Sequence, residues 1–122
     1  YLQYAHTRSQ SILNKAVEAG FKLSGFDASL IGLLKSREEE LVIKRLGLFS
    51  FHLERTLRFA KASQMTEYLI DVTRDFGAFY RECKVMGEDK NLTQARLMVV
   101  EATRRVLNLG LSLIGMPIPE KM

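Results

Sequence analysis

Between Met65 and Met86, apolar side chains recur without a gap at steps of three and four: Met65, Leu69, Val72, Phe76, Phe79, Cys83 and Met86. A helix gathers such positions into one narrow stripe, whereas a strand would scatter them over both faces. A stripe this long has to be covered, so the chain must supply other helices to pack on it. The next run does so. Leu92, Ala95, Val99, Ala102, Val106, Leu109 and Leu113 form a seam, flanked by Met98 on one side and by Val100 and Leu107 on the other. A face of that width predicts a helix packed on two sides. Gly87 is the expected end of the first of these helices, Glu88-Asp89-Lys90 the turn, and Asn91 the cap of the second. Gly115, Pro117 and Pro119 stop it and predict an extended tail.

The upstream half reads the same way. Tyr1 to about Ala19 contains no Pro or Gly and places Ala5, Ser9, Ile12 and Ala16 on one helical face, with Gly20 as the stop. Phe21 to Lys35, with Gly25, Gly32 and Asp27-Ala28-Ser29, predicts a loop or short helical turn. Ser36 three residues before Glu39 is a capping box, opening a helix from Arg37 to about Phe49 with Val42, Leu46 and Phe49 inward. Ser50 is the expected cap of a further helix that turns Leu53, Leu57 and Ala60 inward. Alternating apolar patterns bounded by hairpin turns are absent. The expected fold is all-α, an antiparallel bundle of about five helices forming one domain over residues 1–122.

Composition narrows the function classes. No stretch approaches the ~18 apolar residues of a membrane span, and no signal-peptide pattern opens the chain. The lone Cys83 fits a reducing compartment, so a cytoplasmic location without membrane partners is expected. One cysteine and two distant histidines, His6 and His52, do not make a zinc set. Cys83 belongs to an apolar stripe and reads as packing. Glu38-Glu39-Glu40 sits at a helix start, where the backbone dipole favours negative charge without any catalytic role. Eighteen Lys and Arg against fourteen Asp and Glu leave a net charge of +4, which permits a polyanionic partner without demanding one. Opening on Tyr1 rather than Met, the chain reads as a piece of something longer.

Some residues stand apart from core patterning. Tyr1, Tyr4, Arg8, Ser11 and Lys15 fall along one edge of the first helix's apolar stripe. Rings and cations on one strip can meet unpaired bases and phosphates, but spacing alone fits core-edge tyrosines and solvated cations better. Tyr80 lies about 70° from the centre of its stripe, where a ring can lean on the core while its hydroxyl reaches water. Arg96 lies about 90° from the last helix's seam. Such a cation calls for an acidic partner, expected at Asp71, Asp75 or Glu82, with phosphate contact as the other reading. Lys44, Arg45, Arg55, Arg58 and Lys61 read as a solvated basic face that could extend a phosphate-binding surface.

The opening Tyr1-Leu2-Gln3-Tyr4-Ala5-His6-Thr7-Arg8 resembles the signature with which arginyl-tRNA synthetases enter their C-terminal, DALR-type anticodon-binding domain. Phe79-Tyr80-Arg81-Glu82-Cys83-Lys84-Val85, then Ala95-Arg96-Leu97, then Val106 to Gly115, resemble family motifs in the same order. Pro119-Glu120-Lys121-Met122 is similar to the family's Pro-Glu-Arg-Met terminus. The resemblance covers most of the chain; Phe21 to Lys35 matches only loosely, and Ala62-Ser63 stands where many members have Pro-His. It implies an all-helical module that docks the anticodon loop of an arginine tRNA. Tyr1, Tyr4, Arg8, Tyr80 and Met122 correspond to the family residues that approach that loop. It also implies that joining arginine to tRNA, with ATP and magnesium, belongs to a catalytic domain upstream in the parent chain. ATP-site signatures of His-Ile-Gly-His and Lys-Met-Ser-Lys type are absent, so this fragment alone is expected to be neither catalytic nor in need of a cofactor. A free-standing helical protein-interaction domain, or the anticodon-binding domain of a related class I synthetase, is the alternative reading.

Overall fold

The long stripe does become the central element. In a computed structural model that describes residues 2–23 and 27–115, α5 (Ala62–Glu82) packs against four other helices: α1 (Leu2–Glu18), α3 (Arg37–Gly47), α4 (Phe49–Phe59) and α6 (Lys90–Leu113). A single-turn α2 (Ala28–Ile31) lies in the expected loop and rests on α6. No strand occurs among the described residues. Met65, Leu69, Val72, Phe76 and Phe79 are all buried. The helix itself ends at Glu82, however, and Cys83 turns extended (φ −119°, ψ 121°). The stripe's last members, Cys83 and Met86, therefore pack from a loop.

Two core clusters order the bundle. Leu2 and Ala5 of α1 join Met65 to Val72 of α5 and Val106, Leu107 and Leu111 of α6. Ile12, Leu13 and Ala16 join Phe76 and Phe79 of α5 and Ala95 to Val100 of α6. Helices α1 and α5 thus run in the same sense, with α6 against both.

α1 closes as expected. Gly20 takes φ +94°, its N–H bonds to the Val17 carbonyl, and the Phe21 N–H bonds to the Ala16 carbonyl. Only glycine enters this left-handed corner without strain, and the two bonds satisfy carbonyls the helix end would leave bare.

Several local expectations are corrected. α3 stops at Gly47, and Leu48 both ends it and begins α4, without a side-chain cap; Ser50 is already inside the helix. Because α4 packs chiefly on α5, its inward positions are Phe49, Leu53 and Thr56. Leu57, one residue on, is 64% exposed, and Ala60 adopts a left-handed turn (φ 50°) that reverses the chain. The cap of α6 is Asp89, whose carboxylate accepts from the N–H groups of Asn91 and Leu92, so Asn91 itself lies in the first turn. Along α6 the expected seam repeated strictly every seven residues, and a straight helix drifts off such a repeat by about 20° per heptad. The buried face accordingly moves to Val100, Thr103, Leu107, Gly110 and Leu111, leaving Leu109 58% exposed and Leu113 also exposed.

At Gly110, α6 packs tightly against α5. A Cβ there would lie 2.6 and 2.7 Å from the two methyl carbons of the buried Leu69.

One polar constellation ties three segments together. Ser36 Oγ accepts from the Glu39 N–H at 3.1 Å, and the Ser36 N–H donates to Glu39 Oε1 at 3.0 Å, completing the expected capping box. Glu39 is only 2% exposed, and its other oxygen accepts from Arg96 Nε at 2.7 Å. Arg96 Nη1 also donates to the Lys84 carbonyl at 2.7 Å. The partner of Arg96 is therefore Glu39, not Asp71, Asp75 or Glu82. Those first two pair with Arg45 instead, Asp75 at 2.9 Å and Asp71 at 3.6 Å. Burial pushes the Glu39 carboxyl up, but the bonds from Arg96 and Ser36 outweigh it and hold it below the usual value.

Two predictions follow from these contacts. Gly110→Ala improves helix propensity by about 1 kcal/mol yet overfills the α5–α6 contact, so net destabilisation of roughly 1–2 kcal/mol is expected by urea unfolding. Leu69→Ala in the same chain should make the pair cost less than the sum of the two changes. A Gly110→Ala chain as stable as the parent would contradict that packing.

The second concerns acid. A carboxyl with a lowered folded pKa contributes stability above its unfolded pKa and loses it as pH falls through the folded value. Glu39→Gln should cost roughly 2–3 kcal/mol at pH 7. The gap in melting temperature to the parent should narrow as pH drops below about 4.5. A gap independent of pH would show that the charge does not contribute. His6 and His52, both lowered first by burial and then by nearby arginines, weaken both proteins alike as pH falls through the usual histidine range.

Candidate nucleic-acid interface

Tyr4 and Arg8 stand one turn apart on α1, on the edge that remains outside the core once Ala5, Ser9 and Ile12 are buried. Tyr80 comes from the last turns of α5, just past Phe79, which is fully buried. Packing of α1 along α5 brings the three together. The Arg8 guanidinium carbon sits 4.9 Å from the Tyr4 ring centre and 4.8 Å from the Tyr80 ring centre, and Arg8 Nη2 donates to the Tyr4 hydroxyl. Tyr4 is 47% and Tyr80 40% exposed. A cation thus bridges two half-open phenol rings from separate helices. No carboxylate pairs with it within salt-bridge distance among the described residues.

Ser11 and Lys15 continue the strip and line the hollow beside the cluster. A larger cleft of about 710 Å³ opens next to it, between Arg8, Ile12 and Lys15 of α1 and residues 80–86. Of the five residues expected at the site, Tyr4, Arg8 and Tyr80 converge; Tyr1 and Met122 lie outside the described residues. Tyr80 behaves as its position on the stripe foretold, its ring half-covered and half-open.

Beneath the strip, His6 is buried and neither ring nitrogen finds a hydrogen-bond partner. Burial, then the Arg104 charge, lowers its pKa, so it packs as a neutral ring.

The basic run on α3 and α4 behaves differently. Arg45 is held by Asp71 and Asp75, and Arg58 by Glu54. Arg55 lies over Phe51 and Phe59 at 5.6 and 5.4 Å. Much of that charge is occupied or spread over aromatic surface. His52 stacks on Tyr68 at 4.5 Å, and the Tyr68 hydroxyl donates to the Arg45 carbonyl at 2.6 Å.

Sequence reasoning missed the support behind the cleft. Glu39 read only as a helix-start carboxylate, yet through Arg96 it fixes the Lys84 carbonyl and so the loop that walls the cleft. The capping-box pattern and the off-seam position of Arg96 were the visible signals, but the second pointed to acids on α5 and not to Glu39.

Among the described residues, no three or more His, Cys, Asp or Glu side chains are grouped to hold a metal ion, and no helix is long and apolar enough to cross a membrane.

Comparison with known proteins identifies the family. Arginine–tRNA ligase of Acetivibrio thermocellus is 35% identical over the whole chain, which spans 22% of that protein. The enzyme of Salinibacter ruber is 38% identical, again over the whole chain and 21% of its own length. In the solved structures, Thermus thermophilus arginyl-tRNA synthetase superposes with a TM-score of 0.84 at 28% identity, covering 100% of this chain and 21% of that one. The chain therefore spans about a fifth of the length of the relatives it matches. The model of the DALR anticodon binding domain matches residues 2–122, and the chain belongs to that family.

Proposed function

We propose that this domain docks the anticodon loop of an arginine tRNA on the strip formed by Tyr4, Arg8 and Tyr80, with Tyr1 and Met122, which lie outside the described residues, as further contacts implied by the family resemblance. The observation that carries the reading is the Arg8 guanidinium bridging two exposed tyrosines from different helices. Magnitudes favour a surface that opens to RNA. An exposed cation–π contact is worth about 0.5–1 kcal/mol, whereas a base stacked on an aromatic ring contributes about 1–3 kcal/mol. Bases can therefore take over the ring faces, while the freed guanidinium meets a phosphate. Half-burial fixes each ring's position and limits the entropy lost on binding.

The relatives' length supports a division of labour in which the rest of a longer chain joins arginine to the tRNA with ATP and magnesium. Among the described residues no three or more His, Cys, Asp or Glu side chains are grouped to hold that metal ion. Positioning the tRNA for that catalytic portion, in the cytoplasm, is the role left to this domain.

A protein-interaction module is the second reading. It draws on α4, where Phe51 and Phe59 are exposed beside Arg55 and Leu57 is also exposed, a mixture typical of protein interfaces. An RNA titration separates the two. An arginine tRNA anticodon stem-loop should bind, and Tyr4→Ala or Tyr80→Ala should each cost about 1–3 kcal/mol. Phenylalanine at either position should cost less, because the ring face survives. Arg8→Ala should weaken binding and flatten its salt dependence. Each variant must first melt near the parent. Folded Tyr4→Ala and Arg8→Ala chains that bind like the parent would make the strip packing surface.

A further inference from the structure

We propose that the cleft beside the tyrosine–arginine cluster is a second RNA subsite, in which a phosphodiester of the bound strand is held by Lys15 and Arg81. The inference rests on the anticodon-loop reading above and names a contact that reading does not contain. The cleft shares Arg8 and Tyr80 with the cluster, so a strand crossing the rings enters it directly. Lys15 lies seven residues beyond Arg8, about 10 Å along the helix. That separation suits a neighbouring nucleotide better than the one stacked at Arg8.

Positive charge gathers at the cleft. Arg45, Arg58, Arg74, Arg96, Arg104 and Arg105 all pair with carboxylates. Among the described cations outside those ion pairs, which include Lys44 and Lys61 elsewhere on the surface, Arg8, Lys15, Arg81 and Lys84 share the lining of this one cleft. Glu82 is the one carboxylate in its lining, outnumbered by Arg8, Lys15, Arg81 and Lys84. Arg81 lies back along α5, its Nη1 3.5 Å from where a Cβ on Gly77 would stand. The cleft also has apolar footing in Ile12, Val85 and Met86, enough for a ribose or base edge while the phosphate meets the cations. A site that is cationic at the rim and apolar at the base suits single-stranded nucleic acid.

The test is a titration of the arginine tRNA anticodon stem-loop at several salt concentrations. Lys15→Ala and Arg81→Ala should each weaken binding several-fold and lower the slope of log affinity against log salt by about 0.7, one single-strand phosphate contact. Lys15→Arg should keep both affinity and slope. Lys61→Ala, removing an exposed cation between α4 and α5, should change neither. Tyr4→Ala is run alongside. If it loses affinity while Lys15→Ala and Arg81→Ala keep the parental affinity and slope, the subsite is wrong and the anticodon reading stands. Equal losses for Lys61→Ala and Lys15→Ala would reduce the effect to general charge and also overturn it. A parent that does not bind the stem-loop would remove both proposals.

Discussion

The contact between Glu39 and Arg96 is the point on which the end of the molecule that carries the candidate site depends. A carboxylate at 2% exposure is tolerable only if both oxygens are answered, and here one accepts from the Ser36 backbone and the other from Arg96. Because Arg96 spends a second nitrogen on the Lys84 carbonyl, the same pair pins the start of α3, the N-terminal half of α6 and the loop after α5. Cys83, whose sulfur lies 3.5 Å from the Ser36 hydroxyl, and the buried Val85 fasten that loop on either side of Lys84. The wall of the cleft is thus held by a charge pair and two packing contacts, not by a continuing helix.

Core packing supplies the other wall. Burial of Ala5, Ile12, Leu13 and Ala16 sets the rotation of α1, and that rotation alone decides that Tyr4, Arg8 and Lys15 face outward. Phe79 locks the end of α5 in the same way and presents Tyr80 beside Arg8. At the far end, the glycine contact of Gly110 against Leu69 keeps α5 and α6 close enough for both to serve one core. Rigid helices therefore position a cluster whose own contacts are weak, as the proposed docking of RNA on it requires.

Much of this could be read in the residues. Steps of three and four along α1 and α5 state which faces are buried, and Gly20 and the Ser36–Glu39 pair declare their caps because those bonds are local. What escaped was non-local. The partner of Arg96 sits three helices earlier, and three acids on α5 were equally plausible by spacing. Leu109 was misplaced because a seven-residue repeat and a straight helix part company over 24 residues. Leu57 was misplaced because only the packing of α4 on α5 chooses between Thr56 and its neighbour. At the candidate site, spacing put Tyr4 and Arg8 on one strip and Tyr80 at a core edge. Their meeting depends on how α1 lies along α5, which no local pattern encodes.

The central claim is that RNA engages the α1–α5 edge of the bundle and leaves α4 free. Chemical-shift mapping of tyrosine rings and arginine side chains, as an arginine tRNA anticodon stem-loop is added, tests it most directly. The account predicts large, saturable shifts at Tyr4, Arg8 and Tyr80, with Arg55, Phe51 and Phe59 of α4 unmoved. Shifts concentrated on α4, with the signals of Tyr4, Arg8 and Tyr80 unchanged at saturation, would contradict it.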